Sequence, residues 1–381
     1  MTRTLLLTPF APDRAHDHAA ADTLVRLVPL LAERTELFVF SPQVSEDRAA
    51  DGYALLGAGE QAAPGLSHRF GVRPAWLRQA WSRRTAELAA AAIARVKPDV
   101  VHVEYLQGAE ALAHARHTVL GLHDITEAVA AESYRVSHGP ARAYRLAELV
   151  RTRRFERDAI RRAGAVITLS EADRAAAGAL NPNVVLARIG VDLPDVPWTS
   201  PAEGPPTLVF TGALWRRANE LVALHLAENV LPLVWRSHPD ARLRLAGARP
   251  GPRLSALAAA DERIVVTGAV PDLRDEMRAA HAILAPSIIG GGVLLKVLHA
   301  MSLGAPVITS PGPAESAGAD DSMVYVGDSA EELADAVRAV LADPAAAAKR
   351  GALARQHIGT RFRWSDTVDS YLEAYAMAGA R

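Results

Sequence analysis

Short apolar runs and amphipathic helical stretches alternate along almost the whole chain. In the first half the β-rich runs are residues 5–7, 36–40, 100–103, 119–122 and 165–169. Apolar positions recurring every three to four residues predict helices over 19–34 and 85–96 between them. After a further run at 183–187 comes the segment 194–206, which holds five prolines and reads as a linker, because proline fixes φ and removes a hydrogen-bond donor. The alternation then restarts with runs at 207–211, 242–246, 264–267, 282–285, 307–309 and 323–326. Strands that are apolar on both faces and separated by helices predict parallel sheets covered on both sides. The chain therefore divides into two α/β units of similar size, 1–195 and 196–360, followed by a terminal segment 361–381.

The richest stretch runs from 285 to 315. A buried strand is followed by Pro286-Ser287, a triple glycine Gly290-Gly291-Gly292 with Val293, a helix carrying Lys296 and His299, then Gly304 and Pro306-Val307 opening the next strand. Glycines before a helix let backbone N–H groups approach an anion, and the helix dipole adds positive potential there. Lys296, one turn on, can reach a phosphate, so the arrangement suits a diphosphate. The bland alternative is a structural loop with a solvated lysine.

This stretch resembles the nucleotide-sugar signature of the family-4 glycosyltransferases, a retaining group with the GT-B fold. Pro286-Ser287, Leu298, Ala300-Met301, Gly304 and Pro306-Val307 match that signature, while its paired glutamates fall on Gly291 and His299. The resemblance covers nearly the whole chain: Ala165 to Ser170 with Glu171 to Arg174, Gly190-Val191-Asp192, Phe210 to Asn219, Gly247, Gly268-Ala269-Val270 with Asp272, and Phe362 to Ser365. It implies two Rossmann-like domains facing across a cleft. The N-terminal one would bind the acceptor and the C-terminal one the nucleotide sugar, with the last helix packing back on the N-terminal domain.

Site residues follow from the resemblance one by one. Gly212 ends the strand that opens the second domain. The family's diphosphate-binding Arg and Lys fall on Ala213 and Ala218, so the adjacent Arg216 and Arg217 are expected to replace them, guanidinium being well shaped for phosphate oxygens. His299 stands where a carboxylate usually holds the ribose, and either holds one hydroxyl, pairs with phosphate, or is an ordinary helix residue. Glu315, just past the following strand, is a candidate for the missing carboxylate. His123, with Asp124, follows a strand in a region where the family has a His on the donor sugar; the alternative is a loop His satisfied by Asp124. Glu104, at another strand end, is expected either to face the acceptor or to be simply exposed. His16 and His18 lie in the first loop and are expected to line the acceptor side or be solvated, rather than hold a metal.

Composition narrows the picture. The chain has 381 residues, net charge −1 and no cysteine, which excludes disulfides and thiolate metal sites and gives no pull toward nucleic acid. No Asp-x-Asp motif occurs. The resemblance implies transfer from a nucleotide-diphosphate sugar to a small natural product or a glycan, with retention, and the missing Asp-x-Asp motif leads to the expectation of a metal-independent reaction without cofactor. The alternative is a degenerate GT-B protein that binds without turnover. The apolar core of the N-terminus is too short for a signal peptide, and no apolar run reaches membrane-spanning length, so a cytoplasmic protein is expected. Richness in Ala and Arg points to a GC-rich, bacterial genome. Between 132 and 162 nine arginines face four acidic side chains. That segment could rest on a membrane surface, but a solvated helix face with Arg–Glu pairs is the preferred reading. A monomer or homodimer is expected.

Overall fold

The computed structural model describes residues 1–13, 19–57, 73–201, 204–288 and 293–379. The candidate residues His16, His18, Gly290, Gly291 and Gly292 lie outside them. The chain forms two compact units, 1–189 with 364–381, and 190–363.

The first unit is built on eight strands: β1 (Arg3–Leu7), β2 (Glu36–Ser41), β3 (Arg48–Ala50), β4 (Tyr53–Gly57), β5 (Val100–Glu104), β6 (Thr118–Leu122), β7 (Ala165–Thr168) and β8 (Val184–Leu186). Their order in the sheet is β3-β4-β2-β1-β5-β6-β7-β8, parallel except for the β3–β4 hairpin. Alternate side chains feed opposite faces. Leu5 and Leu7 join one core cluster with Val101 and Val103, whereas Leu6 joins another with Val39 and Val100. Both faces are dry, which is why the strands read as continuous apolar runs. The last helix, Trp364–Met377, belongs to this unit and lays Val368, Tyr371, Ala374 and Tyr375 on the Leu6 face.

The second unit holds β9 (Thr207–Thr211), β10 (Arg242–Ala246), β11 (Ile264–Gly268), β12 (Ala282–Leu284), β13 (Val307–Thr309) and β14 (Tyr325–Val326). All are parallel, in the order β11-β10-β9-β12-β13-β14. Phe210 and Leu208 face one cluster and Val209 the other.

Three differences from expectation have local causes. The hairpin β3–β4 turns at Asp51-Gly52, where Gly52 takes φ +82°, a turn signal that the short apolar content of β3 masked. A 3-10 helix, Leu106–His114, follows β5 where no helical period is evident. The division between units falls at 189/190 rather than 195/196, because the Val191 N–H donates to the Phe362 carbonyl and Trp198 packs within the second unit. Among the described residues no helix is long and apolar enough to cross a membrane.

Candidate functional site

Chain order reverses in each sheet, between β1 and β5 in the first and between β9 and β12 in the second. Loops leaving the carboxyl ends of two strands at such a point run apart and leave a crevice for ligands. Among the described residues Glu104 ends β5, next to the first reversal, and Gly212 follows β9 at the second.

In the second unit β9 ends at Thr211-Gly212. Gly212 has no side chain to spare: a Cβ there would lie 2.9 Å from Asn219 Nδ2 and 3.2 Å from Lys296 Nζ. Lys296 sits in the first turn of the helix Leu295–Leu303, one turn earlier than expected, since the helix begins after Val293 and Leu294. Its Nζ donates to Asn219 Oδ1 at 3.0 Å and lies 4.0 Å from the centre of the Phe210 ring. Asn219 in turn donates from Nδ2 to the Ala213 carbonyl at 3.0 Å, which fixes the orientation of its amide. Loss of water around Nζ, and the Arg216 guanidinium nearby, push the Lys296 ammonium down to about 7. The lysine is half-buried. Arg216 and Arg217 start the helix Arg217–His225 and are exposed, with no ion pair to any described residue. His299 and Val293 are half-buried, and Glu315 is exposed on the short helix Pro311–Ser316 after β13. The structure thus brings Gly212, Arg216 and Lys296 together. It adds Asn219 and Phe210, which the sequence showed only as members of a motif.

In the first unit Glu104 ends β5 and His123 follows β6. Glu104 is neither exposed nor open to an acceptor: it is fully buried. Its Oε1 accepts from His123 Nε2 at 2.6 Å and from the Tyr371 hydroxyl at 3.0 Å. His102 Nε2 lies 2.7 Å from Oε2, in close contact though poorly aligned for a hydrogen bond. Burial pushes this carboxyl up, but the His102 and His123 rings against it outweigh that and hold the group well below the usual carboxylate range. The strand register that sets Glu104 beside Gly121 makes this possible, since a Cβ at 121 would lie 2.3 Å from Oε2. His123 is therefore held by Glu104 rather than by its sequence neighbour Asp124. Its ring stacks on Tyr105 at 4.0 Å, and Tyr105 takes φ +71°, a rare conformation for a bulky residue. Tyr105, Tyr371, Tyr375 and His102 carry no motif spacing that could have announced them.

The basic segment carries Arg–Glu pairs. Glu127 pairs with Arg153 and Arg157, Glu148 with Arg151, and Glu132 with Arg135.

Residues 205–343 match the family described as glycosyl transferases group 1, and residues 18–191 match the glycosyl transferase 4-like domain. Among solved structures the fold is similar to sucrose-phosphate synthase from Thermosynechococcus elongatus, at 19% identity over 98% of both chains with a TM-score of 0.75. It is similar to α,α-trehalose 6-phosphate synthase from Burkholderia multivorans, at 11% identity over 100% of this chain and 99% of that one, TM-score 0.73. It is also similar to Anabaena HepE in complex with UDP and glucose, at 14% identity over 99% and 100%, TM-score 0.69. No protein of curated function matches the sequence.

Proposed function

The chain belongs to the group 1 glycosyltransferases and has their GT-B fold, and from that premise we propose how it moves a sugar from a nucleotide-diphosphate sugar to an acceptor. The second unit takes the diphosphate. Lys296 is its main cation, tethered by Asn219 over the Phe210 ring until phosphate oxygens replace the amide. Arg216 and Arg217 approach from the helix start. An ammonium kept short of water is worth more to developing charge than one in bulk solvent, so it acts chiefly as the leaving group departs. What supports this reading is the half-buried Lys296 at the reversal point of the second sheet.

Transfer proceeds with retention. The bond from the anomeric carbon to the diphosphate oxygen breaks, and the acceptor oxygen bonds to the same face. The acceptor proton passes to the departing phosphate oxygen, so no separate base takes part, and Lys296 with Arg216 and Arg217 takes the charge that a metal ion would otherwise balance. His123 is the group we assign to a substrate hydroxyl. The acceptor is a small natural product or a glycan. HepE was solved with UDP and glucose, which makes a UDP-hexose the first donor to test here.

A thermal-shift and turnover panel of UDP-, GDP- and ADP-hexoses tests the reading, because a ligand that binds only the native state raises apparent stability. One donor should raise Tm and be consumed, with the product anomer retained by NMR. Lys296→Ala should then lower kcat by about a hundred-fold to a thousand-fold, with a smaller effect on KM. Full turnover in a folded Lys296→Ala variant would remove the lysine from the mechanism, and an inverted product would overturn retention.

A further inference from the structure

The carboxylate at the end of β5 has a task of its own. Glu104 has no route to solvent, and three polar groups converge on it: His123 Nε2, Tyr371 Oη and His102 Nε2, at 2.6, 3.0 and 2.7 Å. Burial alone would push this carboxyl up; the groups against it hold it well below the usual carboxylate range, which favours the ionised form. An ionised carboxylate only accepts hydrogen bonds, so the nitrogen 2.6 Å away must carry the hydrogen. In a neutral ring that leaves Nδ1 bare, a lone pair with no protein donor among the described residues. The two tyrosines complete the pattern. Burial and the negative Glu104 push their hydroxyls well above the usual range, so both stay protonated. Tyr371 donates to Glu104, and the Tyr375 hydroxyl lies 2.9 Å from His102 Nδ1, the direction of that hydrogen bond following the His102 tautomer. With Tyr375 donating, His102 carries its hydrogen on Nε2, 2.7 Å from Glu104 Oε2 though poorly aligned with it.

The ring is also held by its face. Tyr105 stacks on it at 4.0 Å from a strained backbone conformation, and Phe10 braces Tyr105 edge-on at 5.3 Å. A loop histidine 13% exposed is thus held in rotation and in plane.

We propose that Glu104 is the positioning residue of this site: it locks His123 with its hydrogen on Nε2, so that Nδ1 accepts a hydrogen bond from a substrate hydroxyl. The polarity is the specific content. The site would select a substrate O–H at that point and reject a group that can only accept. The substrate half of the inference rests on the proposed role of His123; the tautomer half does not.

The tautomer is read directly from the 15N shifts of histidine-labelled protein, at a pH where the rings are neutral, with His123 assigned from a His123→Gln spectrum. The wild type should show a protonated Nε2 and a bare Nδ1 at His123. Folded Glu104→Gln, whose amide can donate as well as accept, should redistribute the ring between both forms. A wild-type ring protonated on Nδ1 overturns the proposal, and so does an unchanged ratio in Glu104→Gln. If that variant does not fold, the wild-type spectrum decides alone. In UDP-glucose turnover, Glu104→Gln should lower kcat about ten-fold or more, and should cost nothing further once His123 is alanine. Additive losses would make Glu104 a purely structural residue. Full activity in His123→Ala would instead sink the role of His123 and leave the tautomer result standing.

Discussion

The role proposed for Lys296 carries a pH dependence. Its ammonium, pushed down to about 7 by burial and by Arg216, is charged below that pH and neutral above it. A diphosphate needs the charged form. UDP affinity should therefore fall as pH rises from about 6.5 to about 8.5, with proton uptake on binding. Calorimetry in two buffers of different ionisation enthalpy measures both. Lys296→Arg keeps its charge throughout and should flatten the profile; a flat wild-type profile would mean that Nζ does not meet the phosphate. Glu104 carries the opposite sign. Its folded-state value lies below the unfolded one, so its contribution to stability is present above the ordinary carboxylate range and is lost as pH falls through and below it. Urea midpoints measured from about pH 6 down to about pH 3 should fall less steeply for Glu104→Gln than for the wild type.

The elements around these residues are held by close backbone approaches. The helix Leu295–Leu303, which carries Lys296 and His299, stops at Gly304 in the left-handed conformation, φ +79°. It packs against the helix Pro344–Arg361, in whose middle sits Gly351. A glycine there is unfavourable for the helix itself. The reason is contact: a Cβ at 351 would lie 2.0 Å from the Gly304 carbonyl oxygen. Gly351→Ala should cost about 2–3 kcal/mol, because backbone cannot yield as a side chain can. Gly304→Ala should cost about 1 kcal/mol, since its neighbours lie at 3.5 Å or more and only the dihedral is strained. Chemical denaturation of both variants orders them; the reverse order would deny the packing argument. Of these features Gly304 was legible, standing where helix gives way to Pro306 and a strand. Gly351 was not, because its partner lies 47 positions earlier.

At the scale of the molecule, the helix Trp364–Met377 completes the first unit from the far end of the chain. Val368, Tyr371, Ala374 and Tyr375 are all nearly or fully buried in its core. The helix also brings the hydroxyls of Tyr371 and Tyr375 to Glu104 and His102. Ending the chain after Arg363 removes more buried apolar surface than any point substitution, at about 1.5–3 kcal/mol for each large side chain. The truncated chain should lose the cooperative unfolding of residues 1–189, seen as rapid proteolysis of that unit. A protease-resistant first unit in the truncated protein would show that the helix is dispensable.

The sequence by itself determined the architecture. Parallel strands buried on both faces leave continuous apolar runs, and those runs sit within a residue or two of β1, β2, β5 to β7 and β9 to β13. It also placed the chemistry-bearing loops, because parallel strands must put their following loops at one edge. Tertiary structure alone decided which polar groups meet. Glu104 read as an exposed or acceptor-facing residue because nothing in a strand-end glutamate announces burial. Its partners come from its own strand, from the loop after β6 and from a helix more than 260 positions away. Asn219 and Phe210 became the seat of Lys296 only when β9 and the helix after β12 were set side by side. Local pattern records which face of an element is dry; it holds no trace of which donor and acceptor, hundreds of positions apart, will share a hydrogen.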